Sequence, residues 1–176
     1  ESGAKVVLAD IAADESNDVA AEIRDSGGQA ISVPTDVTNE EAVKAMADAA
    51  ANEYGGIDGL INNASLMSVL PRGDWFEISA ERWDSVMSVN LKGIFLCCRS
   101  VYAHMQKRGG GSIVNISSSR IWEGNPNRLD YTTSKAGVVG LTRALARELG
   151  DDNISVNAIT PGFTLSETQL ASSSSN

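Results

Sequence analysis

Ser118, Tyr131 and Lys135 are three side chains whose types and spacing could move a proton: a hydroxyl, a phenol thirteen residues later, and an ammonium four residues beyond that. From Tyr131 onward, Val138, Leu141, Leu145 and Leu149 recur at steps of three and four, which predicts an amphipathic helix. Positions i and i+4 of a helix lie one above the other, so the phenol and the ammonium are expected to share a face. A phenol with an ordinary pKa of ~10 is a poor base at neutral pH. A cation beside it favours the phenolate, and a downward shift of ~3 units requires about 4 kcal/mol of differential interaction. A tyrosine tuned in this way passes a proton to or from an alcohol oxygen. Alone, Tyr-x-x-x-Lys is a weak signal, because a helix face with a stray aromatic has the same spacing.

The surroundings give it weight. Residues 111–118 read as a turn, a short buried strand and a hydroxyl cluster at the strand's C-terminal end. In open α/β sheets ligands bind at that end. Short apolar runs at 6–9, 30–33, 60–61 and 154–159 predict further strands. Helical patterns fill the intervals: 14–25, stopped by Gly27-Gly28; 38–54, opened by Thr38-Asn39-Glu40-Glu41 in the form of a capping box; and a long helix from Ser79. In that last helix Trp83, Val86, Met87, Leu91, Ile94, Phe95 and Cys98 trace one apolar stripe. Strands alternating with helices of this length predict an α/β fold, a doubly wound parallel sheet of the Rossmann type. There is no internal repeat.

Ser118, Tyr131-x-x-x-Lys135, Asn90 in Val89-Asn90-Leu91-Lys92-Gly93, Asn62-Asn63-Ala64 and Asn157-Ala158-Ile159-Thr160-Pro161-Gly162 together resemble the short-chain dehydrogenase/reductase family, in its order and approximate spacing. The resemblance implies hydride transfer between a nicotinamide and a carbonyl or carbinol carbon. Tyr131 would act as general acid/base. Lys135 would lower its pKa and hydrogen-bond the nicotinamide ribose, Ser118 would hold the substrate oxygen, and Asn90 would sustain a water path to Lys135. In the family the first strand and a glycine-rich turn precede the segment that opens this sequence, and further helices and a last strand follow Pro161-Gly162. The sheet is therefore expected to be split, with residues 1–170 a partial dinucleotide-binding and catalytic domain and residues 171–176 a Ser-rich tail or loop edge.

Asp10 closes the first predicted strand, where the dinucleotide fold puts an acid on the adenosine ribose. A carboxylate there would repel a 2′-phosphate, and Ile11-Ala12-Ala13 brings no arginine to reverse the preference, so NAD is favoured over NADP. Asp36-Val37, expected to end the next strand, resembles the family's adenine contact; as a loop turn, Asp36 would need no ligand. Asn63-Ala64 would run beside the adenosine ribose, although Ser65 stands where the family usually has glycine. Pro161-Gly162-Phe163-Thr164 resembles the segment that holds the nicotinamide carboxamide, and Ser166 keeps a hydroxyl where threonine is common. Between serine and tyrosine, Arg120 and Arg128 could clamp a carboxylate or phosphate and Trp122 could stack on a ring. Surface arginines and a loop anchor are the plainer reading. With residues 66–75 this stretch is expected to shape a pocket for a small secondary alcohol or ketone.

Composition narrows the alternatives. A formal charge of −9 argues against a nucleic-acid partner, which calls for a basic patch. No run of eighteen apolar residues predicts a membrane span. His104, the single histidine, lacks a ligand-spaced partner and is expected on a helix surface, so no metal site is predicted. Cys97-Cys98 makes no disulfide framework, which fits a reducing, cytoplasmic setting. The helices from Ser79 and Tyr131 match the family's dimer faces, implying a homotetramer or homodimer. The alternatives to an NAD-dependent oxidoreductase are an NADP-dependent carbonyl reductase, a non-catalytic dinucleotide-binding module, and an inactive fragment.

Overall fold

The structure, a computed structural model, describes residues 3–67 and 70–164. The Ser-rich end and Ser166 lie outside the described residues, as do two positions of the 66–75 stretch. Strand β1 (Lys5–Asp10) leads through helix α1 (Ala13–Asp25) to β2 (Gln29–Pro34), and helix α2 (Glu40–Tyr54) leads to β3 (Gly59–Asn62). Helix α3 (Ala80–Met87) passes through a π turn (Ser88–Lys92) into α4 (Gly93–Arg108), which leads to β4 (Gly111–Ile116). A four-residue helix α5 (Arg120–Glu123), the long α6 (Leu129–Glu148) and β5 (Ile154–Ile159) complete the order.

Every pairing is parallel, as helix-long crossovers require. Residues Lys5 to Asp10 lie opposite Gln29 to Pro34. Strand β4 sits between β3 and β5, with Asn62 opposite Asn115 and Ile116 opposite Ile159. These are two sheets, β1-β2 and β3-β4-β5, divided as the sequence reading expects. Ile61, on β3, is 70% exposed.

Apolar packing joins the two sheets. Val43, Met46, Leu96 and Cys97 form a buried cluster on α2 and α4 that receives Ala9 and Val33 from one sheet and Leu60 from the other. A second cluster, including Ile94, Val101, Met105, Ile113, Val138 and Val156, fills the space between α4, α6 and the three-stranded sheet. Gly93 begins α4 where it crosses Val37; a Cβ there would stand 2.9 Å from Val37 Cγ2, so the close approach depends on glycine. A buried polar chain fixes register across this core. Asn62 Nδ2 donates to Asn115 Oδ1 at 2.8 Å, Asn115 Nδ2 to Thr142 Oγ1 at 2.9 Å, and Thr142 Oγ1 to Val138 O at 2.7 Å. Each amide spends its donors on a partner, which is what makes burying it tolerable.

Four local expectations change. Asn39, not Thr38, caps α2, accepting from Glu41 N and Ala42 N at 3.0 Å each, while Thr38 turns back to Asp36. Strand β2 ends at Pro34, so Asp36 and Val37 lie in the turn beyond it. The helix from Ser79 is not continuous α: a π turn at Ser88–Lys92 interrupts it. After it Ile94 and Cys98 are buried as expected, Leu96 and Cys97 are buried as well, and Phe95, expected in the apolar stripe, is 42% exposed. His104 is only partly on the surface, with Nε2 3.2 Å from Asp48 Oδ1 on α2.

Candidate active site

Ser118 follows β4 and is buried, its Oγ accepting from Arg120 N at 3.3 Å. The residues on either side tie this junction to its neighbours. Ser117 N donates to Ile159 O at 2.8 Å, and Ser119 N to Pro161 O at 2.9 Å, drawing the Pro161-Gly162 segment against the serine turn. Ser117 Oγ donates to Lys135 O at 2.8 Å, fixing the start of α6 to the end of β4. The parallel register thus brings Ser118, the Pro161 segment and the Tyr131 helix together at the C-terminal end of the three-stranded sheet.

Tyr131 and Lys135 are both buried on one face of α6. Lys135 Nζ stands 5.7 Å from the Tyr131 ring centre and donates to Ile116 O at 2.8 Å. The ammonium therefore lies beside the phenol, anchored by a strand-end carbonyl. Burial brings the Lys135 pKa down from its ordinary 10.5 to about 8. Between pH 8 and 10.5 the folded protein binds fewer protons at this site than the unfolded chain, so folding stability rises with pH across that window. The full contribution is on the order of 3 kcal/mol. Denaturant unfolding of Lys135→Met beside the parent protein is expected to show it: the variant is the more stable at pH 7, and the difference closes toward pH 10.5. Parallel stability curves over that range would mean a lysine titrating at its ordinary value.

Two side chains that the sequence did not single out hold the backbone of Tyr131. Ser134 Oγ donates to Tyr131 O at 2.7 Å and accepts from Asn90 Nδ2 at 3.1 Å. Asn90, fully buried in the π turn, also accepts from Leu66 N at 2.7 Å and donates to Leu66 O at 3.1 Å. Asn90 therefore clamps the segment after β3 to the first turn of α6. Asp130, with no exposed surface, accepts from Tyr131 N at 2.8 Å through Oδ1 and from Arg82 Nε at 2.7 Å through Oδ2. The hydroxyl three residues after the tyrosine was a legible signal for the first of these. Nothing local in the sequence pairs Arg82 with Asp130.

Among the expected cofactor residues, Asp10 is exposed at the last position of β1, its Oδ1 accepting from Ala12 N at 3.0 Å. Asp36 accepts from Thr38 N at 2.8 Å and Thr38 Oγ1 at 2.7 Å, and these bonds, backbone first, hold its carboxyl below the usual value. Its geometry is that of a turn. Val37 packs on Gly93. Asn63 and Ala64 are exposed directly after β3, and Gly162 and Thr164 are exposed beyond Pro161, with Thr164 Oγ1 3.4 Å from Gly162 O. The residues present fit a dinucleotide: an open carboxylate at one strand end, exposed backbone after β3, and a phenol–ammonium–hydroxyl group after β4. Trp122 is 74% exposed. Arg128 Nη1 donates to Met67 O at 2.7 Å and to Leu70 O at 2.8 Å, so it is a partly buried brace and not a free surface charge.

Residues 1–176 match the short chain dehydrogenase family. The sequence is 43% identical over 168 residues to a probable galactose dehydrogenase of Rhizobium meliloti, covering 95% of this chain and 64% of that protein. The structure of a 7α-hydroxysteroid dehydrogenase complexed with NADH and 7-oxo glycochenodeoxycholic acid superposes with a TM-score of 0.89 at 35% identity, over 96% of this chain and 65% of that one. An NAD+-bound xylitol dehydrogenase superposes with a TM-score of 0.84 at 33% identity, over 90% and 60% respectively. The chain thus spans about 64% of the length of the first of these relatives. With the parallel topology and a match along the whole chain in agreement, this chain belongs to the short-chain dehydrogenase family.

Proposed function

We propose that the protein oxidises a small secondary alcohol, or reduces the matching ketone, with NAD as the hydride carrier. The observation that carries this reading is the buried Tyr131–Lys135 pair beside Ser118. A bound nicotinamide supplies the hydride chemistry, and the protein orients the reactants and manages the proton. Ser118 Oγ hydrogen-bonds the substrate oxygen. Tyr131 takes the alcohol proton in one direction and returns it in the other. Lys135 holds positive charge beside the phenol and is oriented by Ile116 O. Asn90 and Ser134 fix the tyrosine's helix turn, so that the phenol is preorganised before substrate arrives. Whether Asn90 also sustains a water path to Lys135 is a further role proposed from the family alone.

Asp10 would accept hydrogen bonds from the adenosine ribose, with Asn63-Ala64 running beside it and Pro161, Gly162 and Thr164 lining the carboxamide. Asp36 and Val37 would border the adenine. The two NAD- or NADH-bound structural relatives support the choice of NAD. A helical assembly, dimer or tetramer, is supported by a groove of Met87, Leu91, Phe95 and Leu141 along the helices from Ser79 and Tyr131. The free, buried thiols of Cys97 and Cys98, raised by burial to about 12 and about 11, are consistent with a cytoplasmic setting. Among the described residues no helix is long and apolar enough to cross a membrane.

Absorbance of NADH on mixing the full-length protein with NAD and a panel of secondary alcohols tests the activity. NAD is expected to outperform NADP by at least about tenfold in kcat/KM, because a carboxylate facing a 2′-phosphate is repulsive. Asp10→Ser is expected to narrow that ratio. Preference for NADP in the parent protein would remove the role assigned to Asp10.

A further inference from the structure

The segment leading from Ser118 to Tyr131 carries more positive charge than its surroundings neutralise. Arg120 opens α5 two residues after Ser118 and shares a hydrogen bond with it through the backbone. Arg128 precedes Tyr131 by three residues, and its carbonyl accepts from Thr132 N at 2.9 Å within the first turn of α6. Arg72, Arg82 and Arg120 all lie close enough to Arg128 to act on its charge. Burial first, and then these three cations, push the Arg128 guanidinium below its ordinary value, against a smaller opposing pull from Asp130. Among the described residues only Arg82 of these four is in an ion pair, and its carboxylate, Asp130, is committed to it and to Tyr131 N. Glu123, on the same turn as Arg120, is taken up by Ser119 Oγ at 2.7 Å and by Asn125. In a chain of net charge −9, Arg72, Arg120 and Arg128 have no ion-pair partner among the described residues, and Arg128 is held by the carbonyls of Met67 and Leu70.

A second observation is independent of charge. Among the described residues, two buried side-chain polar atoms have no hydrogen-bond partner: Arg120 Nε, within this segment, and Thr132 Oγ1, one residue past it on α6. Among the described residues the Arg120 side chain donates to Pro126 O alone, at 3.3 Å through its Nη2. A guanidinium has five N–H donors in a rigid fork, and a buried donor left without an acceptor is unusual in a native protein. A two-oxygen anion is the acceptor that such a fork fits.

We propose that Arg120 forms a subsite for a carboxylate carried by the substrate, so that the preferred substrates are hydroxy acids or keto acids with the anion beyond the reacting carbon. This rests on the alcohol-oxidising reading of Ser118 and Tyr131 and narrows its substrate class. Arg120 follows Ser118 by two residues and its backbone N–H donates to Ser118 Oγ, so carboxylate binding and positioning of the reacting oxygen are coupled. No covalent step is added; Arg120 selects and orients.

The test compares a cyclic hydroxy acid, 3-hydroxycyclohexanecarboxylate, with its primary amide, a neutral group of the same shape, using full-length protein and NAD. The acid is expected to exceed the amide in kcat/KM by about 10- to 100-fold, the range of one charge-assisted contact. Arg120→Gln is expected to bring the ratio close to one, and Arg120→Lys to recover only part of it, because the ammonium keeps the charge without the fork. Equal use of acid and amide by the parent protein overturns the proposal, as does a ratio that survives in Arg120→Gln. If no alcohol in the panel is turned over, the alcohol-oxidising reading has failed, and binding decides the subsite on its own. Tryptophan fluorescence is then titrated with cyclohexanecarboxylate and with cyclohexanecarboxamide. Saturable binding of the carboxylate alone, weakened about tenfold or more by Arg120→Gln, supports the subsite; the same response to both ligands overturns it.

Discussion

Tyr131→Phe is expected to lower kcat by about 10²–10⁴-fold, the span attributed to one positioned general acid/base, and to leave the dissociation constant for NAD within about threefold. The two halves of that expectation come from different parts of the structure. The phenol oxygen is the only atom removed, and its proton transfer is needed in the transition state and not for binding, so the loss falls on turnover. The backbone of residue 131 is held by groups that the substitution leaves in place: Ser134 on its carbonyl at 2.7 Å and Asp130 on its N–H at 2.8 Å. The ring is buried, and phenylalanine refills nearly all of its volume, so unfolding is not expected to account for the loss. The measurement is steady-state kinetics on the best alcohol of the panel, with NAD affinity measured by fluorescence titration. Turnover within tenfold of the parent would remove Tyr131 from the chemistry, whatever its company.

The pieces of this site differ in how far the sequence exposed them, and the reason is range. Tyr131 and Lys135 were legible because a helix converts a four-residue spacing into a shared face, a rule that needs no knowledge of the rest of the fold. The strand ends were legible because apolar runs alternating with helical patterns have few topologies open to them, and β5 falls on the predicted residues 154–159. The π turn at Ser88–Lys92 was not legible, because its cause is tertiary. It is held by Asn90 bonding to Leu66, twenty-four residues earlier, and to Ser134, forty-four residues later. A periodicity read within one window assumes unbroken α geometry and so contains no sign of the turn. The cap of α2 failed for a local reason: Thr38 and Asn39 are both good cap residues, and Asp36 took Thr38 for its own turn. The arginines were ambiguous for the opposite reason. Charge is legible in sequence, but burial of one nitrogen of Arg120 and bracing of Met67 and Leu70 by Arg128 exist only once the chain has folded.

Arg82→Ala is expected to cost about 3–5 kcal/mol of folding stability, because it strands a charge. Asp130 has no exposed surface, and its Oδ2 has Arg82 Nε at 2.7 Å as its cationic partner. Arg82 keeps 18% of its side-chain surface in contact with solvent, so the two partners are not equivalent. Removing the arginine leaves a buried carboxylate with the Tyr131 N–H; removing the carboxylate leaves a cation that can still reach water. Asp130→Asn is accordingly expected to cost less, since the amide oxygen still accepts from Tyr131 N. The double variant, Arg82→Ala with Asp130→Asn, should be more stable than Arg82→Ala alone, a non-additivity that a mere loss of packing around Arg82 does not produce. Urea unfolding of the four proteins closes the cycle. The same pair bears on catalysis because it joins α3 to the residue before the phenol, forty-eight positions away in sequence. Loss of the anchor should lower kcat in the Arg82→Ala protein even under conditions where it remains folded. Additive single-variant costs would show that the contact is incidental, and that the position of Tyr131 is set by α6 and the Asn90–Ser134 clamp alone.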